Sequence, residues 1–172
     1  MDILISACLL GYACRYDGKD NYIENFFEKH KDLNFIKICP EVESGMTTPR
    51  RPSEIKNNKV FDNLNNDNTD FFEKGANIAL KRALDNNIKV ALLKSKSPSC
   101  GKGLIYDGSF TKTLIKGDGF TARLLKNKGI QVFTEKELDD FDNYIKIFKS
   151  KLWFFNIWLN SIKKSLILFD IY

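Results

Sequence analysis

The run Val90-Ala91-Leu92-Leu93-Lys94-Ser95-Lys96-Ser97-Pro98-Ser99-Cys100-Gly101 passes from four apolar residues into a polar segment broken by proline and closed by glycine. Its first four residues have the length and content of a buried strand. Pro98 lacks an amide hydrogen and biases Ser97 away from helical dihedrals, while Gly101 frees the backbone just past the thiol. The run therefore predicts a tight loop that holds one cysteine at the end of a strand. The same pattern occurs twice more. Ile3-Leu4-Ile5-Ser6-Ala7 ends at Cys8, and Phe35-Ile36-Lys37-Ile38 ends at Cys39-Pro40.

Helical signals lie between these runs. Phe26 and Phe27 predict a short helix to Lys31, capped by Asn21 or Asn25. Thr69 is a candidate N-cap, followed by Phe71, Phe72, Ala76, Ala79, Leu80, Ala83 and Leu84 near helical spacing up to Asn86-Asn87. Gly119-Phe120-Thr121 opens a further helix carrying Ala122, Leu124 and Leu125, closed by Gly129, before a fourth strand, Ile130-Gln131-Val132-Phe133. Leu104-Ile105-Tyr106 with Asp107-Gly108 suggests a short extended piece and a turn. Strands alternating with helices predict an α/β fold, a Rossmann-like open, mainly parallel sheet flanked by helices. Ligands of such sheets bind outside the carboxyl ends of the strands, where Cys8, Cys39 and Cys100 fall. Their separations of 31 and 61 residues match no local zinc-ribbon pattern, so only the fold could bring the thiols together.

The polar segment from Glu41 to about Asn68, with Pro49, Pro52 and an asparagine-rich run, is longer than an ordinary connection and is a candidate binding loop. The whole chain has 172 residues, 43% hydrophobic and 28% charged, which excludes global disorder. Its net charge of +5 is concentrated after Asn143, where five lysines face one acid, so it does not point to nucleic acid. Residues 1–142 read as the α/β domain and 143–172 as a helical, apolar tail. Trp153, Phe154, Phe155 and Trp158 are interrupted by Asn156, Asn160, Lys163 and Lys164, so no membrane span is expected. The tail reads as a helix packed on its own domain or on a second subunit, a candidate homo-oligomer contact. Met1-Asp2 followed by only three strongly apolar residues is not a secretory signal, and four cysteines without one predict a reducing cytoplasm.

Three thiolates form a soft ligand set suited to iron–sulfur, zinc or monovalent copper, and three ligands leave an open, reactive position. His30, the sole histidine, lies among charged residues and is expected on the surface. Cys14 is not at a strand end and reads as a bystander, with a fourth-ligand role as the alternative. Glu41, held near Cys39 by Pro40, could position or deprotonate water, or be a solvated loop residue. Ser97 and Ser99 could bond a ligand or merely satisfy their own loop. Arg50-Arg51, between two prolines, suggests anion recognition or internal ion pairs, and Arg15-Tyr16 a pocket wall or a turn; Arg15, Tyr16 and Arg50 are the candidate substrate contacts. Gly117-Asp118-Gly119 lacks the spacing of a nucleotide-binding loop.

Ser6-Ala7-Cys8-Leu9-Leu10-Gly11, Arg15-Tyr16-Asp17-Gly18, Cys39-Pro40-Glu41-Val42, Gly45 with Pro49-Arg50, Ser97-Pro98-Ser99-Cys100-Gly101 and Ile105-Tyr106-Asp107-Gly108 stand in a shared order. In these motifs the chain closely resembles the thiouracil desulfidase (TudS) family, from Met1 to about Glu135. The resemblance implies a [4Fe-4S] cluster held by Cys8, Cys39 and Cys100, and a hydrolase-like, non-redox desulfidase acting on a small thiolated substrate such as thiouracil. It implies Glu41 as the base beside the second cysteine, assisted by Ser97, with Ser99 the alternative. Water would attack the thiocarbonyl carbon and the sulfur would depart as hydrogen sulfide. Cys14 is not one of the three ligands it implies, and the tail after about Asp142 has no counterpart in it. Two other readings use the same residues: a zinc or thiol-based enzyme, and a non-enzymatic binding module.

Overall fold

The structure, a computed structural model, describes residues 1–151. The chain divides into two compact units, Met1–Lys136 and a second beginning at Glu137. In chain order the first unit contains β1 (Asp2–Ser6), a 3-10 turn (Ala7–Leu10), α1 (Phe26–Lys29), β2 (Asn34–Ile38), α2 (Pro40–Glu43), β3 (Ser53–Lys56) and β4 (Lys59–Asp62). There follow α3 (Thr69–Asp85), β5 (Val90–Leu93), β6 (Leu104–Tyr106), β7 (Leu114–Lys116), α4 (Phe120–Asn127) and β8 (Gln131–Thr134). In the second unit, residues 138–151 are helical. The aromatic tail residues Trp153, Phe154, Phe155 and Trp158 lie outside the described residues. No helix among the described residues is long and apolar enough to cross a membrane.

The expected parallel sheet forms, with strand order β2-β1-β5-β8 and every neighbouring pair parallel. Ile3, Leu4 and Ile5 of β1 and all four residues of β5 are fully buried, as central strands covered on both faces require. Ala79 and Ala83 of α3 and Ala122 and Leu125 of α4 pack into one core with Leu4, Ile38, Ala91, Leu93 and Val132. Small alanines on the helices let both lie close to the sheet. From β1 the chain steps outward to β2 and then returns across β1 to β5. The order therefore reverses between β1 and β5, and a crevice opens at the carboxyl ends of these strands.

The segment from Glu41 to Asn68 is more structured than its polarity suggests. It contains α2 and a β3–β4 hairpin whose turn residues Asn57 and Asn58 both have positive φ, 51° and 60°. Two consecutive asparagines tolerate that left-handed pair better than most residues, which makes them the hairpin signal. A second hairpin pairs β6 with β7. The Glu54 carboxylate accepts the Gly108 and Phe110 amides, both at 3.0 Å, and so ties the two hairpins together.

Two local expectations change. Thr69 is the first residue of α3 and not its cap; its hydroxyl accepts the Val60 amide and donates to Asp67, whose carboxylate also accepts the Thr69 amide. His30 is buried and not on the surface: its ring lies against Phe26, and Nδ1 is 2.7 Å from the Phe26 carbonyl oxygen. The aromatic cluster of Phe26, Phe27 and Phe35 shields it more than its charged sequence neighbours expose it.

Candidate functional site

Three adjacent strands deliver three thiols to the crevice. Cys8 sits in the 3-10 turn that follows β1, Cys39 immediately precedes α2, and Cys100 closes the loop after β5. All three line one cavity of about 410 Å³, together with Glu41 and Ser97. Cys39 and Glu41 are placed by a close approach of α2 to α3. A Cβ on Gly75 would fall 2.3 Å from the Pro40 carbonyl oxygen, so only glycine lets the two helices meet there. Pro40 at the first helical position needs no amide partner and starts α2 directly after the thiol.

The third arm is held by its own hydrogen bonds. The Ser97 hydroxyl accepts the Ser99 amide at 3.0 Å and the Cys100 amide at 3.1 Å. The Pro98 and Ser99 carbonyls accept the Phe120 and Thr121 amides at the start of α4, and the Gly101 carbonyl accepts that of Gly119. A Cβ on Gly119 would come within 2.4 Å of the Ser99 carbonyl oxygen. The amides at the start of α4 are thus spent on the cysteine loop, which explains a glycine pair that is no phosphate site. The two serines separate cleanly. Ser97 lines the cavity and lies 3.5 Å from Glu41, whereas Ser99 is fully buried, bonded to Thr121 at 2.9 Å, and does not line it. Of the two candidate serines, Ser97 is therefore the one that reaches the cavity.

Arg50 forms an internal ion pair, one of the two arrangements its sequence setting suggests. Its guanidinium grips Glu41 at 2.6 Å and the Cys14 carbonyl at 3.1 Å, with its side chain 7% exposed. Arg51 is exposed and does not line the cavity. Arg15 and Tyr16 do line it, but the Arg15 guanidinium is bound to Asp17, Asn21 and the Asp20 carbonyl. Cys14, although remote from any strand end, is brought into the cavity between Cys8 and Cys39. Hydrogen bonding among these thiols lowers Cys8 and Cys39 against the opposing effect of burial and raises Cys14 itself. Burial pushes the Cys100 thiol up, opposed by a hydrogen bond with Ser6.

Residues 3–137 match the family model described as 2-thiouracil desulfurase. This chain is a member of that family. An uncharacterised Bacillus subtilis (strain 168) protein, YbbK, is 38% identical over 148 residues, covering 80% of this chain and 98% of the relative. A solved structure described as the [4Fe-4S]-dependent thiouracil desulfidase TudS aligns with a TM-score of 0.80 and 39% identity, over 85% of this chain and 98% of that one. Both likenesses span nearly the whole of the other protein. The chain is accordingly an enzyme of the desulfurase family, and the binding-module reading falls away.

The donor set of this desulfurase fits an iron–sulfur cluster. The three strand-end thiols supply soft sulfur ligands, and no histidine lines the cavity. Among the described residues no group of His, Cys, Asp and Glu closes on one point as ligands of a single ion do. Cys8, Cys39 and Cys100 would hold the cluster.

Sequence reading missed the support beneath the thiols. Lys94 lines the cavity directly after β5, and its ammonium is bound to Glu135 at 2.6 Å and to Ser95 at 3.0 Å. Burial pushes the Glu135 carboxyl up, but Lys94 and the Ser95 hydroxyl and amide outweigh it and hold the group below its ordinary range. A lysine at the end of a buried strand was the available signal. Nothing in the sequence pointed forward to Glu135.

Proposed function

We propose that the chain is a [4Fe-4S]-dependent desulfidase that removes sulfur from a small thiolated nucleobase such as 2-thiouracil, with no net redox change. The observation that carries the reading is the convergence of Cys8, Cys39, Cys100, Glu41 and Ser97 on one cavity at the strand-order reversal. Membership of the 2-thiouracil desulfurase family supports the substrate class, and likeness to the TudS structure supports the cofactor. The overall change balances without electrons: a thiocarbonyl and water give a carbonyl and hydrogen sulfide.

When bound, the cluster would supply a sulfur-seeking Lewis acid, because a soft donor prefers an undercoordinated iron to oxygen. The rest of the work falls to the chain. Glu41 Oε1, directed at the cavity, accepts a proton from the attacking water. Ser97 sits beside that oxygen at 3.5 Å with its hydroxyl oriented by two amides, and steadies the carboxylate and the incoming water. Tyr16 and Arg15 form part of the wall around the base. A reducing cytoplasm suits the reading, since all four cysteines are free thiols.

The test is anaerobic reconstitution followed by iron and labile-sulfide analysis and incubation with 2-thiouracil. The reading predicts about four irons per chain, with uracil and sulfide appearing in equal amounts. Reconstituted protein holding one zinc and no labile sulfide, or holding the cluster but leaving 2-thiouracil and other thiolated nucleobases intact, refutes it.

A further inference from the structure

Arg50 is more completely engaged than any other cation lining the cavity. Its Nε and Nη2 both donate to Glu41 Oε2, at 2.9 and 2.6 Å. Nη1 and Nη2 donate to the Cys14 carbonyl at 3.1 and 3.2 Å, and Nη1 also reaches the Thr47 carbonyl at 3.2 Å and the Thr48 hydroxyl at 3.3 Å. A guanidinium has five N–H donors in a rigid fork, and these contacts occupy all of them. The backbone amide is also committed, to the Tyr16 carbonyl at 2.8 Å. No donor is left for an anionic substrate, which removes the expectation that Arg50 recognises one.

The consequence falls on Glu41. Oε2 is pinned by two donors from one side, and Oε1 is left with Ser97 as its neighbour on the cavity side. A carboxylate held by one oxygen cannot rotate without breaking both bonds, so the fork sets which oxygen meets the water. The same guanidinium fixes the carbonyl of Cys14, which joins the loop after β1 to the helix after β2. Lysine could supply the charge but not the fork.

We propose that Arg50 is a positioning residue for the base: it clamps Glu41 Oε2 and the Cys14 carbonyl together so that Oε1 is presented to the cavity. The proposal rests on Glu41 being the base in the proposed function. It predicts that Arg50→Lys lowers kcat on 2-thiouracil by about 10²-fold, the usual cost of misplacing a catalytic group. KM and the affinity for uracil, measured by calorimetry, stay within about threefold, because no substrate contact is lost. Iron and labile-sulfide content per chain stay at the wild-type level.

Acting through Glu41 also makes the effects non-additive. In a Glu41→Gln background, adding Arg50→Lys changes kcat by no more than about twofold. Millimolar methylguanidinium is expected to restore part of the rate to Arg50→Ala, which covers the case in which lysine packs poorly. A tenfold rise in KM or loss of uracil affinity would instead make Arg50 a substrate contact. Multiplying effects in the double variant, or iron lost from Arg50→Lys and Arg50→Ala alike, would also overturn the proposal. A crystal structure of Arg50→Lys separates this inference from the reaction assignment. If wild type does not turn over 2-thiouracil, a displaced Glu41 carboxylate with the three cysteines in place still supports the clamp, and an unmoved one refutes it.

Discussion

Replacing each serine of the third arm by alanine tests the geometry most sharply. Ser99 and Thr121 are both fully buried, and their hydroxyls share one bond of 2.9 Å. Ser99→Ala leaves the Thr121 hydroxyl buried without that partner, at a cost of about 1–3 kcal/mol. A loss near 2 kcal/mol lowers the melting temperature of a chain this size by about 4–8 °C. Ser97→Ala withdraws the acceptor from two amides, those of Ser99 and Cys100, and costs about as much or more. Stability therefore does not distinguish the two serines. Turnover does, because Ser97 adjoins Glu41 and Ser99 faces away from the cavity. Sulfide release from 2-thiouracil, normalised to iron content, should fall about 10²-fold in Ser97→Ala, comparable with losing an oriented polar group from an active site. In Ser99→Ala it should stay within about twofold, since the Ser99 hydroxyl is bonded to Thr121 and does not line the cavity. A catalytic loss in Ser99→Ala, or an undiminished rate in Ser97→Ala, would show that the arm is read the wrong way round.

Gly75→Ala forces a methyl against the Pro40 carbonyl at 2.3 Å; a destabilisation of about 1–3 kcal/mol in denaturant melts should accompany reduced iron loading, because α2 carries Cys39. Cys14→Ser should load iron and labile sulfide like the wild type, the three strand-end thiols being intact; a lowered iron content would make Cys14 a ligand. Glu135→Gln weakens the bonds to Lys94 and Ser95 and should cost about 1–3 kcal/mol near neutral pH. Because folding holds this carboxyl below its ordinary value of 4.5, the stabilisation is complete above that value and is lost as pH falls through the lower, folded one. The gap between wild type and variant in melts should therefore close on acidification below about pH 4.5; a gap that widens there would contradict the assignment.

Much of the fold was legible because the responsible forces are local. Val90–Leu93 and Ile3–Ile5 are continuous apolar runs of strand length, and α3 carries its alanines and aromatics at helical spacing. The long polar segment does line the cavity, with Glu41, Arg50 and Pro52, but its internal order comes from elsewhere. Asn57-Asn58 makes a tight turn, while Glu54 collects two amides from a hairpin more than fifty residues away. His30 was misplaced for the same reason: sequence neighbours predict charge nearby, but the aromatic rings that bury it come from two elements.

For the site, the sequence by itself determined the chemical types. It placed three thiols just beyond three strands, an acid two residues past one of them, and a serine three residues before another. It also carried the ordered motifs that mark the desulfurase family. Only the tertiary structure decided how these groups relate, because each relation crosses strands distant in the chain. It turned Ser97 inward and Ser99 away, drew Cys14 between Cys8 and Cys39, and paired Arg50 with Glu41. A residue's type is written in the chain, but the direction in which its polar atoms point depends on which partners folding brings within about 3 Å.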